Sequence, residues 1–224
     1  MLVHELLYAD DTLLIEADEA TLEKYMRCVT DCGNKYGLSL NWTKVEVLPV
    51  CCNCGLKSPS GETIKQQQRL VYLGSVLSAD GTFGSEISRR IGSAKGEFDK
   101  LCRVWKHSSL ATKRKVRIFE ACVMSKLLYN LHSLCLTQAE TNRLDAFHVR
   151  CLRRVLKIAP SFYSRVPNKD VLQAAGTKSA SHMLLERQLL WMGGLAARPD
   201  DHILRKSIFK QALTFEPKST EGRI

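Results

Sequence analysis

The sequence predicts an α+β fold in two parts: short strands and one helix over residues 1–80, then helices alone. Three observations carry this. Two apolar runs, Leu6-Leu7 and Thr12-Leu13-Leu14-Ile15, flank the tight segment Tyr8-Ala9-Asp10-Asp11, as in a β-hairpin with two carboxylates at its turn. Short apolar runs bounded by turn residues continue as far as Leu77. Beyond Gly81 the apolar residues recur at helical spacing instead.

The elements follow in order. Asp18 is placed to cap a helix whose first turn carries Glu19 and Glu23. Leu22, Tyr25, Met26, Val29 and Tyr36 give it an apolar face, and Gly37 ends it. The pattern predicts a helix over 19–36 packed on the hairpin. Lys44 to Val50, with Val45, Val47 and Leu48, reads as a strand. Residues 51–68, with Pro59, Gly61 and the polar run Lys65-Gln66-Gln67-Gln68, read as a loop or loose hairpin. Leu70 to Leu77 reads as a second strand, and Ser78-Ala79-Asp80-Gly81 as a turn.

Ile87, Ile91, Ala94, Phe98, Leu101 and Trp105 form the stripe of a first long helix. A second follows Thr112, with Val116, Phe119, Val123, Leu127 and Leu131 inward. Thr137-Gln138-Ala139-Glu140 has the form of a capping box. Leu144, Phe147, Cys151 and Val155 continue that helix, and Pro160 to Pro167 interrupts the pattern. Shorter helices are expected near 168–175, 180–196 and 201–214, followed by a frayed tail.

The composition is that of a globular protein: 45% hydrophobic and 25% charged over 224 residues. No apolar run approaches the roughly 20 residues of a membrane span. No secretory signal is evident, so nucleus or cytoplasm is expected and no membrane partner. Nine cysteines are present, an odd number that argues against a complete disulfide framework. Cys51-Cys52-Asn53-Cys54 is the one dense cluster, and the next cysteine is Cys102, so no second ligand pair for zinc is apparent. Cys28, Cys102, Cys122 and Cys151 fall on apolar faces and read as buried thiols.

The net charge of +10 is unevenly spread. The first 60 residues hold five basic and nine acidic side chains; the remainder holds 28 and 14. A basic remainder fits either a phosphate-binding surface or an ordinary solvated one. Asp10 and Asp11 likewise admit two readings. Adjacent carboxylates repel, and a hard divalent ion with a preference for oxygen relieves this. The other reading is an exposed acidic turn.

The order of the motifs resembles the reverse transcriptase of non-LTR (LINE-type) retrotransposons. Tyr8-Ala9-Asp10-Asp11 is similar to that family's catalytic palm motif. Gly37-Leu38-Ser39-Leu40-Asn41-Trp42-Thr43-Lys44 is similar to the next palm motif, and Tyr72-Leu73-Gly74-Ser75 to the primer-grip hairpin. Glu86-Ile87-Ser88-Arg89-Arg90-Ile91 resembles the start of the thumb. Lys126-Leu127-Leu128-Tyr129-Asn130 and the segment from Arg187 to Arg198, through Trp191, resemble motifs further on. Gly194 stands where the family usually has His. Only seven residues precede Tyr8, so the earlier palm strand, its metal-binding Asp and the fingers have no counterpart in these 224 residues.

The resemblance implies a partial palm over 1–80, a thumb-like helical region over 81–158 and a helical extension over 159–224. It implies Mg²⁺, or Mn²⁺, held by Asp10 and Asp11. Lys44 would lie near the leaving pyrophosphate, Tyr8 beside the nucleotide or primer terminus, and Tyr72, Leu73 and Gly74 at the primer. Asn41 is expected to hold the turn before Lys44. The implied partners are an RNA template and a DNA primer. Arg89, Arg90, Lys95, Lys113, Arg114, Lys115 and Arg117 form the densest basic face, and Arg150, Arg153 and Arg154 a second. Their alternative reading is a solvated helix face. Trp191 reads as core.

The expected activity is RNA-directed DNA polymerisation, absent from the chain alone unless the missing half is supplied in trans. Two other readings stand beside it: a basic helical nucleic-acid-binding module without catalysis, and the remnant of a decayed element.

Overall fold

The computed structural model describes residues 4–50, 52, 54–107 and 109–213, with the backbone alone over 210–213. The chain is mixed α and β and divides into two compact units, Met1–Glu86 and Ile87–Ile224.

In the first unit, β1 (Glu5–Tyr8) and β2 (Asp11–Leu14) form an antiparallel hairpin, with Tyr8 opposite Asp11. Helix α1 (Glu19–Lys35) follows. Asp18 caps it, its carboxylate accepting from the Thr21 amide at 2.8 Å, and Gly37 beyond its end has φ +72°. The helix lies on the hairpin: Met26 is buried beside Leu22 of α1 and Leu14 of β2. Tyr25 of α1 donates its hydroxyl to the carboxylate of Glu5 in β1, a bond that raises the Tyr25 pKa. Tyr36 is 83% exposed, so the apolar face predicted for this helix ends before it.

The strand expected over 44–50 shrinks to β3 (Glu46–Val47), parallel to β4 (Lys65–Gln66). Pro49 has no amide to give a ladder, which limits any extension. Between these strands, Lys57 bridges Thr63 and the Ser58 amide donates to the Glu62 carbonyl at 2.8 Å, a loose hairpin. Leu70–Leu77 is two strands rather than the single one expected. β5 (Arg69–Tyr72) and β6 (Ser75–Ser78) pair across a turn at Leu73 and Gly74, which have φ +46° and +74°. Positive φ at both central residues is the hairpin turn whose twist matches its strands. Among the described residues the strands pair only two by two, and the buried core is Met26, Leu56 and Ile64.

The second unit is helical. α2 (Gly84–Lys100) leads into the short α3 (Cys102–Lys106). The helix after Thr112 is not uniform. It runs as α4 (Thr112–Phe119), widens to a π-turn over Glu120–Met124 and resumes as α5 (Ser125–Leu127), and a turn follows to Asn130, whose φ is +58°. Ser125 Oγ donates to the Ala121 carbonyl at 2.6 Å, and Glu120 accepts from Thr177 Oγ1 at 2.6 Å. Side-chain bonds of the first kind compete with the helix ladder and bend it.

Helix α6 (Gln138–Leu156) is the centre, touching α3, α4, α8 and α9. Its predicted capping box is present, with Thr137 and Glu140 each bonding the other's amide. The α7 turn (Ser161–Ser164) lies inside the predicted interruption, and α8 (Asn168–Ala175), α9 (Ala180–Ala196) and α10 (Ile203–Leu213) follow. Phe98 stacks on Trp105 at 5.2 Å and meets Phe119 edge-on at 6.0 Å; Phe119 stacks on His148 at 5.6 Å. Of the four cysteines expected to be buried, only Cys151 is. Cys102 and Cys122 are half-buried and Cys28 is exposed. No helix among the described residues is long and apolar enough to cross a membrane.

Candidate catalytic hairpin and nucleic-acid interface

Ala9 and Asp10 are the two turn residues between β1 and β2, and Asp11 opens β2. Ala9 has φ +52°, the left-handed geometry the first turn residue of such a hairpin needs. The result lifts Asp10 and Asp11 to the tip, where both are exposed and neither carboxylate accepts a hydrogen bond among the described residues. The hairpin is held behind the tip. The Ile15 amide donates to the His4 carbonyl at 2.8 Å, and the His4 ring bonds Glu16. Tyr8 is 62% exposed, so its ring is no part of the core.

Among the described residues no three His, Cys, Asp or Glu side chains gather as a metal cage. The Asp10–Asp11 pair offers two exposed carboxylates and no further side-chain ligand among the described residues. It does not suit a self-contained site.

Lys44 is exposed and forms no ion pair with Asp10 or Asp11. Asn41 holds the turn before it: its Oδ1 accepts from the Thr43 amide at 3.2 Å and hydroxyl at 2.6 Å, and the Lys44 amide donates to the Asn41 carbonyl. Tyr72 Oη donates to the Leu6 carbonyl at 3.4 Å, bringing the β5–β6 hairpin, with its Leu73–Gly74 turn, against the strand that carries Tyr8.

The structure sorts the predicted basic faces. Lys113, Arg114 and Arg117 of α4 and Lys95 of α2 are exposed, and Arg89 is half-buried. Lys115 is 4% exposed, its ammonium donating to the carbonyls of Trp105 at 3.0 Å and His107 at 2.6 Å. Arg90 is buried with its guanidinium 4.5 Å from the Tyr129 ring centroid. Arg153 is buried too, and donates to the Ala159 and Val166 carbonyls, Ser164 Oγ and Asn168 Oδ1. These three cations serve the fold rather than a phosphate. A buried charge without partners would be costly, so Lys115 and Arg153 stay where their acceptors are and Arg90 over the Tyr129 ring. Arg150 and Arg154 remain exposed; Arg154 pairs with Asp99 at 3.3 Å.

One site is not legible from the separate motifs. Tyr129 and Asn130 meet Arg187 and Trp191 across a cleft of about 560 Å³. His132 lies edge-on to Trp191 at 5.8 Å. Trp191 is thus half-buried in a cleft wall, not in the core as expected. Both motifs were read singly in the sequence, but about 60 residues separate them, and that distance hid their meeting.

Known proteins add one likeness. The chain is similar to a Caenorhabditis elegans protein named as uncharacterized and transposon-derived. The two are 25% identical over 202 residues, covering 86% of this chain and 71% of the relative. The chain matches no protein-family model and no solved structure.

Proposed function

We propose that this chain is transposon-derived and that it carries part of the palm and the thumb of a non-LTR reverse transcriptase. The observation that carries the reading is the hairpin tip. Two adjacent carboxylates stand exposed at the hairpin tip, Asp10 in the turn and Asp11 at the start of β2, and Tyr72 of the next hairpin is bonded to β1. Likeness to a transposon-derived protein supports the origin. Asp10 and Asp11 would hold Mg²⁺ or Mn²⁺ together with substrate phosphates, and the bound ion would supply the Lewis acidity that phosphoryl transfer uses. Lys44 offers its ammonium to the departing pyrophosphate. Tyr72, Leu73 and Gly74 support the primer, and the exposed cations of α2 and α4 hold the RNA–DNA hybrid. Nucleus or cytoplasm is the compartment such partners require.

A second reading, a nucleic-acid-binding module without catalysis, is favoured by the exposed α4 cations. Primer extension on homopolymer RNA separates the two. The chain alone should extend nothing. Mixed with a polypeptide that supplies fingers and the first palm carboxylate, it should extend the primer, and Asp10→Asn should abolish this. A mixture that stays silent, or that ignores Asp10→Asn, leaves only the binding module.

A further inference from the structure

Residues 150–169 hold six basic side chains and no acidic one. Arg150, Arg153 and Arg154 lie in the last turns of α6, Lys157 and Arg165 at the ends of α6 and α7, and Lys169 in α8. A cleft of about 370 Å³ opens where α6 ends and α7 begins, lined by Val149, Arg150, Arg153, Arg154, Ile158 and Ser161 among others. Arg153 forms its fixed wall, since its guanidinium is spent on the chain. Arg150 makes no hydrogen bond or ion pair among the described residues, and neither do the side chains of Lys157, Arg165 and Lys169. Lys157 and Arg165 both have φ +57°, at helix ends where glycine or asparagine is the cheaper residue.

Directly after Ser161 come Phe162 and Tyr163. They are 79% and 77% exposed, and their rings meet edge-to-face at 5.2 Å. Two adjacent aromatics turned to water beside a run of uncompensated cations are the elements by which proteins hold unpaired strands. Cations follow the phosphates, and aromatic faces accept bases. A duplex keeps its bases stacked on one another, so these rings have nothing to accept from it.

We propose that the α6–α7 corner is a second nucleic-acid site, which binds a single-stranded polynucleotide through Arg150, Lys157 and Arg165 at phosphates and Phe162 and Tyr163 at bases. This deepens the nucleic-acid reading above and rests on it for the class of ligand, but it uses none of the α4 cations.

The test titrates the full chain with labelled oligo(rU), oligo(dT) and a blunt RNA–DNA hybrid at several salt concentrations. Phe162→Ala/Tyr163→Ala should weaken single-strand binding about thirtyfold or more, with the salt slope kept. Arg150→Gln should weaken it and flatten the slope by about 0.7. Hybrid binding should be unmoved by either, which also shows that the variants fold. Loss with rU, with dT or with both supports the site, and their ratio names the sugar that is read. Ultraviolet cross-linking of oligo(rU) to wild-type chain should label the peptide holding Phe162 and Tyr163. Single-strand binding unchanged in the aromatic variant, equal binding of polyglutamate, or cross-links elsewhere would overturn the proposal. If hybrid binding is absent while single-strand binding behaves as described, the thumb reading fails and this one stands.

Discussion

Lys113 and Lys115 stand two residues apart on α4, yet one meets water and the other is sealed against two carbonyls. Their roles separate experimentally. Lys115→Met keeps the stem and removes the charge-assisted bonds, so it should cost about 1.5–3 kcal/mol of stability in urea unfolding. It should leave the salt slope of nucleic-acid binding unchanged. Sequence could not divide this cluster, because the acceptors for Lys115 belong to Trp105 and to the irregular segment after α3. His148 was silent in the sequence for a similar reason. Its ring is wholly buried against Phe119, and neither nitrogen has a partner among the described residues. Burial lowers its pKa from 6.5 to about 4, with Asp145 opposing the shift. The folded state thus takes up its proton later than the unfolded chain does. The protonation penalty at His148 is absent well above pH 6.5, and stability falls as pH drops below it, by about 3 kcal/mol at pH 4. Asp18, Asp80, Glu97 and Glu186, whose pKa values are lowered, lose their contributions chiefly below 4.5, so the upper part of the window belongs to histidine. Urea midpoints from pH 7 to 4.5 should slope in wild type and flatten in His148→Gln; equal slopes would contradict the assignment.

At the scale of elements, what the sequence predicted well was local. The Asp18 cap, the Gly37 stop and the Thr137–Glu140 box each depend on residues within one turn, and each is present. What it predicted badly depends on partners. The π-turn in the helix after Thr112 is tied to Thr177, and the length of β3 is set by β4. The β5–β6 hairpin, implied by the resemblance at Tyr72-Leu73-Gly74-Ser75, was hidden from the apolar pattern by its turn. Leu73 occupies a left-handed position that Asn or Gly normally takes, so Leu70 to Leu77 looks like one apolar strand. That geometry costs a leucine about 1–2 kcal/mol. Leu73→Asn should therefore raise the unfolding midpoint of this unit by an equivalent of about 1 kcal/mol. A decrease would mean that the side chain of Leu73, 40% exposed, contributes more through packing than it loses in the turn.

For the whole molecule, the division of charge seen in the sequence acquires positions. The acidic first 60 residues contain the carboxylate tip, and the basic excess follows it. Only part of that excess is available to a partner, because Arg90, Lys115 and Arg153 are buried with their own contacts. The available set on α4 is Lys113, Arg114 and Arg117. Contacts from such residues reach phosphates and carry no base information, so hybrids of any sequence should bind alike. The direct measurement is a titration of labelled RNA–DNA hybrid at several salt concentrations, comparing wild type with the triple alanine variant of Lys113, Arg114 and Arg117. Binding should weaken steeply with salt in wild type, and the variant should bind more weakly with a slope flatter by about 0.9 for each phosphate contact removed. Wild type without salt-dependent binding, or a variant indistinguishable from it, would contradict the assignment of this surface to a polymerase thumb.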